Sequence, residues 1–505
     1  MAFFDRTSIR SRNGQPVGWR EAVPADQIAA LLKLEDDKKS PRTLRSKPKS
    51  KASERTPEDI YAQRIEDSKL WAKSAEGLIY RWSGYHWEET QQEGAETDAF
   101  LWLRQFSPEH AGNRKATACV LTARLTMPLL PSVPAGRCLI PCLDGWLELQ
   151  GDRFVRVAPD KSIGVTHSIR AQLGNLPVGA EYIPGPVSGL FANYLDVSLP
   201  DAGVRSLIQE YVGYTLLPDS FLNLQKAMIF IGDGADGKGV LTGLVRHLHR
   251  RTCAMNLKNL EGFGGEGLIG ATLALVDEGP SRNGIIDDER MKTMVSGDAL
   301  DINRKHKPAI TYSPVAKWII CANDTPRFGS AGKAIERRFI FAPWTASLDD
   351  SKRIPNLGAS IAKTELKMVL DWALAGALAL VARGDFELPE QALALKEASM
   401  RAMETVHGWA ADANPMISTE AQTPKNTIYE DYADWCHDQG QGARCAEQFW
   451  RRLRQHLRVP DEQLHGPRIS DKGKRIQTAR ILIHQPTQAG GVTPAFESMD
   501  EQSPF

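Results

Sequence analysis

The stretch "IFIGDGADGKGVLTG", residues 229–243, narrows what this chain can fold into more than any other. A short β-branched and aromatic run breaks into glycines, reaches a lysine and resumes as an apolar, helix-like segment. The loop approaches the pattern G-x-x-x-x-G-K-[ST], in which glycines let backbone N–H groups wrap phosphates, the lysine neutralises them and a hydroxyl holds Mg²⁺. Gly232, Gly237 and Lys238 fit, and Gly239 stands at the hydroxyl position. With Gly234 and Val240 they form the candidate phosphate-binding set. Glycines before a helix also serve plain turn geometry, so the loop alone decides nothing.

The order of the motifs downstream of the loop is more specific. "TLALVDEG" is an apolar strand ending in Asp277 and Glu278. In a nucleotide site Asp277 would hold a Mg²⁺-bound water and Glu278 would orient or deprotonate the attacking water; the plain alternative is two solvated carboxylates at a strand end. "AKWIICAND" ends a third strand with Asn323, suited to hydrogen-bonding a γ-phosphate or the lytic water. "AIERRFIFAPW" then offers Arg337 and Arg338, placed to stabilise transition-state charge on a neighbouring subunit's nucleotide. Mg²⁺ usually keeps several waters, so the lost hydroxyl at Gly239 predicts weaker metal binding rather than a dead site. Thr242, one helical turn beyond, is a candidate ligand through a water.

At 505 residues the chain exceeds one core, and roughly three or four domains are expected. Lys plus Arg equals Asp plus Glu, 62 each, so any nucleic-acid footprint must be local. Seven scattered cysteines fit reduced thiols, and Cys138 and Cys142 in "CLIPC" lack the companions of a zinc site. No apolar run approaches the ~20 residues of a membrane span and the N-terminus lacks the order of a secretory signal, so a cytoplasmic protein is expected.

The pattern divides the chain into seven segments. Residues 1–35 are a tail whose "PADQIAALLKLE" (24–35) reads as a short amphipathic docking helix, and 36–59 a disordered basic linker rich in Ser and Pro. Residues 60–220 read as an α+β domain. It holds the aromatic hairpin "GLIYRWSGYHWEE" turning at Ser83-Gly84 and a second, "LDGWLELQGDRFVRV", turning at Gly151-Asp152. Cross-strand packing is the commoner use of Trp82, Tyr85 and Trp87, with base stacking the alternative. Residues 221–345 alternate strands and helices as an α/β core, 346–415 are helical, and 486–505 a disordered tail. In 422–485 two helices precede a basic hairpin, the pattern of a winged helix, with Arg451, Arg452, Arg454, Lys472, Lys474 and Arg475 as candidate DNA contacts.

In their order and short spacing, the loop, acidic pair, asparagine and arginine resemble the superfamily 3 helicases of viruses, phages and plasmids, an AAA+ group of ring-forming DNA motors. "SGDALDINRKHKPAITYSPVAKWIICAND", 296–324, resembles the part of papillomavirus replicative helicases that carries the DNA-tracking β-hairpin, with Arg304, Lys305, His306 and Lys307 at its tip. "IPCLDGWLELQGDRFVRVAPD", "LDWALAGALAL" and the C-terminal winged helix resemble the helicase half of phage and plasmid primase-helicases. The resemblance covers about residues 65–485. It implies an AAA+ P-loop ATPase core using ATP and Mg²⁺, a hexameric ring translocating 3′→5′ on single-stranded and forked DNA, and a separate primase or single-strand binding protein as partner. It also favours Arg338 over Arg337 as the finger, from its distance to Trp344. A rival reading is a nucleotide-gated DNA-binding initiator or loader that never unwinds. A blander one, a nucleotide-binding oligomer without a DNA role, takes "NRKHK" as an ordinary solvated turn.

Overall fold

The computed structural model describes residues 55–257, 262–277, 285–305, 307–328, 333–346, 354–403, 405–439, 442–471 and 474–483. The expected docking helix, most of the linker, the C-terminal tail, Glu278, His306 and Lys472 lie outside the described residues. The chain divides into two units, residues 1–56 and 57–505, and nearly all described residues belong to the second. A helix starts at Pro57, inside the segment expected as linker. Proline tolerates the first helical position, and Glu58 and Asp59 complement the positive end of the helix dipole.

The centre is a five-stranded parallel sheet: β1 (Ala227–Ile231), β2 (Thr252–Ala254), β3 (Leu273–Val276), β4 (Lys317–Ala322) and β5 (Phe339–Pro343), in spatial order β5-β1-β4-β3-β2. Parallel strands need crossover connections that cover both faces, which is why "AMIFI", "LALV" and "WIICA" are apolar throughout. Alternation then sorts the side chains. Met228, Phe230, Leu275, Ile319 and Ile340 face one core, and Ile229, Val276, Trp318, Ile320 and Phe341 the other.

Among the helices covering the first face are α1 (Ala202–Leu216), α2 (Lys238–Leu248) and α3 (Leu366–Arg383). α2 contributes Leu241, Leu244, Val245 and Leu248, a stripe at helical spacing. α1 and α3 cross at glycines. A Cβ on Gly213 would lie 2.4 Å from the Ala373 carbonyl oxygen, and one on Gly376 would lie 2.3 Å from that of Gln209. Tyr182 donates to Asp371 of α3 at 2.5 Å, and Arg383 pairs with Glu210 of α1, so buried charges at this crossing are satisfied.

This core ignores the expected boundary at residue 220. It runs from Cys138 to Ala392 and includes the antiparallel strands Cys138–Cys142, Gly145–Gln150 and Arg153–Val157 through Cys142, Leu147 and Phe154. The hairpin turning at Gly151-Asp152 is present, with Gln150 opposite Arg153. Residues 57–127 instead pack a separate core around Tyr61, Ile65, Leu103 and Val120. Their aromatic hairpin pairs Trp82 with Trp87, the rings 5.6 Å apart and edge to face, and Trp146 meets Trp82 at 6.4 Å. Cys138 and Cys142 are buried free thiols on one strand.

At the C-terminus, helices Thr405–Ala413, Lys425–Asp438 and Ala446–Leu457 surround Trp409, Tyr432, Phe449 and Leu453. A three-stranded antiparallel sheet, with Lys474–Ala479 between Thr423–Pro424 and His465–Asp471, closes the group. The helix 405–413 therefore belongs with this last core, not with the segment 346–415 in which its sequence placed it. Trp409 accounts for this: its fully buried ring stacks edge-on against Phe449 at 5.4 Å, and its Nε1 donates to Asp431 at 2.8 Å.

The α1–α3 crossing yields a direct test. Gly213→Ala should destabilise the protein by roughly 2–4 kcal/mol, because the methyl meets backbone that has nowhere to move. Chemical denaturation against the native protein measures it, beside Gly384→Ala, whose Cβ meets nothing within 4 Å and whose strain is only the left-handed φ of +85°.

Candidate phosphate-binding site and basic hairpin

The glycine loop joins the C-terminal end of β1 to Lys238 at the start of α2. Gly234 and Gly237 take φ of +94° and +100°, and a Cβ on Gly237 would lie 2.5 Å from Ser198 Oγ. The tight return is thus built on conformations that glycine alone adopts without strain. Surrounding side chains fix the loop from outside. Tyr194 donates its hydroxyl to the Gly237 carbonyl at 2.8 Å, and Trp344, just past β5, donates Nε1 to the Asp236 carbonyl at 2.8 Å.

Inside the loop Lys238 folds back. Its Nζ donates to the Gly232 carbonyl at 2.8 Å and pairs with the Asp236 carboxylate, whose other oxygen accepts the Lys238 backbone N–H at 3.2 Å. Both residues are buried. At Gly239 a Cβ would meet nothing within 4 Å, so the missing hydroxyl does not reflect a lack of space. Thr242 does not offer a replacement in this arrangement: its hydroxyl is buried and bonded to the Lys238 and Gly239 carbonyls, at 3.2 Å each. Val240 lies in the first turn of α2 beside the loop, its N–H bonded to the Gly237 carbonyl.

Asp277 and Asn323 lie at the same edge of the sheet, because β3, β4 and β1 run parallel and are adjacent. Asp277 is exposed, and both of its oxygens accept from Arg246 Nη2 of α2, at 3.0 and 2.8 Å. Asn323 is exposed beside the loop. The Gly232 N–H reaches the preceding Ala322 carbonyl, and Asn323 Oδ1 lies 3.9 Å from where a Cβ on Gly234 would sit. Cys321, near the end of β4, is buried, and burial first, then Asp277, pushes its thiol up to about 12.

The two arginines occupy the opposite edge. They precede β5, whose far end, Pro343, pairs with Ile231 before the glycine loop. A five-residue strand spans about 16 Å, so neither reaches the loop of its own chain. Arg338 is turned inward, with Nε donating to Ser296 Oγ at 2.8 Å and Nη1 to the Ala334 carbonyl. Burial, and then the neighbouring Arg337, lower its proton affinity. Arg337 is exposed.

The expected hairpin forms from Leu300–Arg304 and Lys307–Tyr312, with Lys305 in its turn. Its root is apolar, Ile302 and Ile310 packing on Ile269, while its tip is polar. Arg304 Nε donates to the Pro308 carbonyl at 2.9 Å, the Lys305 N–H points to Glu266 at 3.4 Å, and Lys307 Nζ donates to Gln91 at 3.3 Å. Lys305 and Lys307 remain exposed. On helix Ala446–Leu457, Phe449 and Leu453 face inward, which leaves Arg451 outward and Arg452 and Arg454 half-buried, Arg454 bonded to Asp461 at 3.1 Å. Arg475 is exposed on the last hairpin, and Lys474 opens its second strand.

Sequence reasoning missed Asp236, Arg246, Tyr194 and Trp344 as parts of the site. Asp236 carried a signal, a carboxylate inside a loop whose sequence reads as a phosphate binder. The other three reach the loop or the strand end only through tertiary packing.

Against known proteins, residues 230–338 match a family of unknown function, DUF5906. No curated protein matches the chain. Solved structures of the NrS-1 C-terminal region are similar in part. One apo structure has 14% identity over 68% of this chain and 96% of that one, with a TM-score of 0.37. Another has 11% identity over 85% of this chain and all of that one, with a TM-score of 0.47.

Trp344→Phe should keep the edge-on packing against Phe230 but lose the bond to Asp236, destabilising by about 1 kcal/mol, whereas Trp344→Ala should cost about 3–5 kcal/mol. Denaturant titration of both variants distinguishes the bond from the ring.

Proposed function

We propose that this chain is an ATP-hydrolysing motor that forms a ring, of the superfamily 3 AAA+ kind, and drives single-stranded DNA 3′→5′ in the replication of a phage, plasmid or other mobile element. The observation that carries the reading is the meeting of the Lys238 loop, Asp277 and Asn323 at one edge of three adjacent parallel strands. In open α/β sheets ligands bind at that edge, and the loop's N–H groups and helix dipole favour phosphate. Mg²⁺, when bound, would neutralise phosphate charge; Asp277 would hold it through water, and Gly239 leaves a further position to water.

In this reading Lys238 leaves Asp236 to meet the phosphates. Asn323 orients the γ-phosphate or lytic water, and Glu278 acts as the base. The position of Arg337 and Arg338 supports action on a neighbour's nucleotide, since their own lies a strand's length away. The exposed tip lysines suit a strand whose sequence does not matter, because lysine attracts any phosphate. The three C-terminal helices with their basic hairpin, read as a winged helix, are a second DNA contact.

A forked-duplex assay tests the motor. The native chain should unwind with ATP, and Lys238→Ala should abolish both turnover and unwinding. Hydrolysis without strand separation would instead make this a nucleotide-gated initiator or loader.

Arg337→Ala should lower ATPase activity at least tenfold, an effect well within that of a lost arginine finger. Mixing Arg337→Ala with Lys238→Ala subunits should restore part of it, because some interfaces then carry both an intact loop and an intact finger. Full activity of Arg337→Ala alone removes the role.

A further inference from the structure

We infer that Asp236 is a built-in stand-in for phosphate, a positioning residue that pairs with Lys238 inside the loop and sets how loosely nucleotide binds. The inference rests on the proposed nucleotide site and adds a residue to it.

In a phosphate loop the first backbone N–H groups of the helix and the lysine ammonium are the groups that meet phosphate. Here one carboxylate takes both. One Asp236 oxygen accepts the Lys238 N–H and the other pairs with the Lys238 ammonium. The pair is enclosed, the lysine 6% and the aspartate 3% exposed, so water does not screen it.

The loop also packs closely around the carboxylate and its backbone is tied in place. A Cβ at Gly232 would sit 2.5 Å from Asp236 Oδ2, the Asp236 carbonyl is tied to Trp344, and the next residue, Gly237, closes against Ser198. An incoming phosphate must therefore take Lys238 from a negative charge that stays close by. Two consequences point the same way. The internal pair competes with phosphate for Lys238, and a bound phosphate would be repelled by the Asp236 carboxylate. Both weaken nucleotide binding and favour release, which a motor emptying its site every cycle requires.

Asp236→Asn isolates the charge, because the amide oxygen still accepts the Lys238 N–H. With the fluorescent probe mant-ADP in titration, Asp236→Asn should bind about tenfold tighter or better than the native chain. Unlabelled pyrophosphate should displace the probe from the variant at correspondingly lower concentration, and adenosine should show no such gain. The variant's thermal midpoint should fall without ligand and rise more on adding ADP than the native chain's does. Asp236→Ser, smaller and uncharged, should tighten binding in the same direction and covers the case in which the asparagine fails to fold. Equal or weaker mant-ADP binding by a folded variant overturns the role of Asp236. Failure of the native chain itself to bind mant-ADP overturns the nucleotide reading and the inference with it.

Discussion

Everything in this molecule hangs on a parallel sheet that must bury both faces. Once β1, β3, β5 and all of β4 after Lys317 are apolar, their connections must cross over and cover them, and all their C-terminal ends emerge at one edge. That single constraint gathers residues as distant in sequence as Lys238, Asp277 and Asn323. It also sends Arg337 and Arg338, which precede a strand instead of coming after one, to the other side.

The covering layer is held by equally strict conditions. α1 and α3 approach until backbone touches backbone at Gly213 and Gly376, and the charged groups at their margins are answered by Asp371, Glu210 and Arg383. Strands Cys138–Cys142 and Gly145–Gln150 then join the same core. The glycine loop inherits its rigidity from this layer, through Tyr194 and Ser198 on one side and Trp344 on the other.

Local pattern made the strands, both hairpins and the loop legible, since each depends on periodicity or on glycine placement within a few residues. "TLALVDEG" and "AKWIICAND" form the strands their composition required, with Asp277 and Asn323 just beyond the ends. Domain limits were less legible. The helix 405–413 looks like its helical neighbours until Trp409 finds Phe449, and nothing before residue 220 announces that Phe154 and Leu207 share a core with Ile319. The choice between two adjacent arginines was illegible for a similar reason: spacing gives distance along the chain, and only packing decides that Arg338 turns toward Ser296.

The route from the hairpin to Asn323 has a mechanical meaning. A short connection leads from Tyr312 into β4, which is fully buried between β1 and β3, and Asn323 comes directly after that strand. Pro314 and Ala316 in the connection are themselves buried, and the Tyr312 hydroxyl is clamped by the Gly270 N–H at 2.9 Å. The hairpin and the strand are thus joined by a connection half sunk in the core, with Ser313 and Val315 outside it. The root of the hairpin is therefore fastened to the same strand that leads to Asn323.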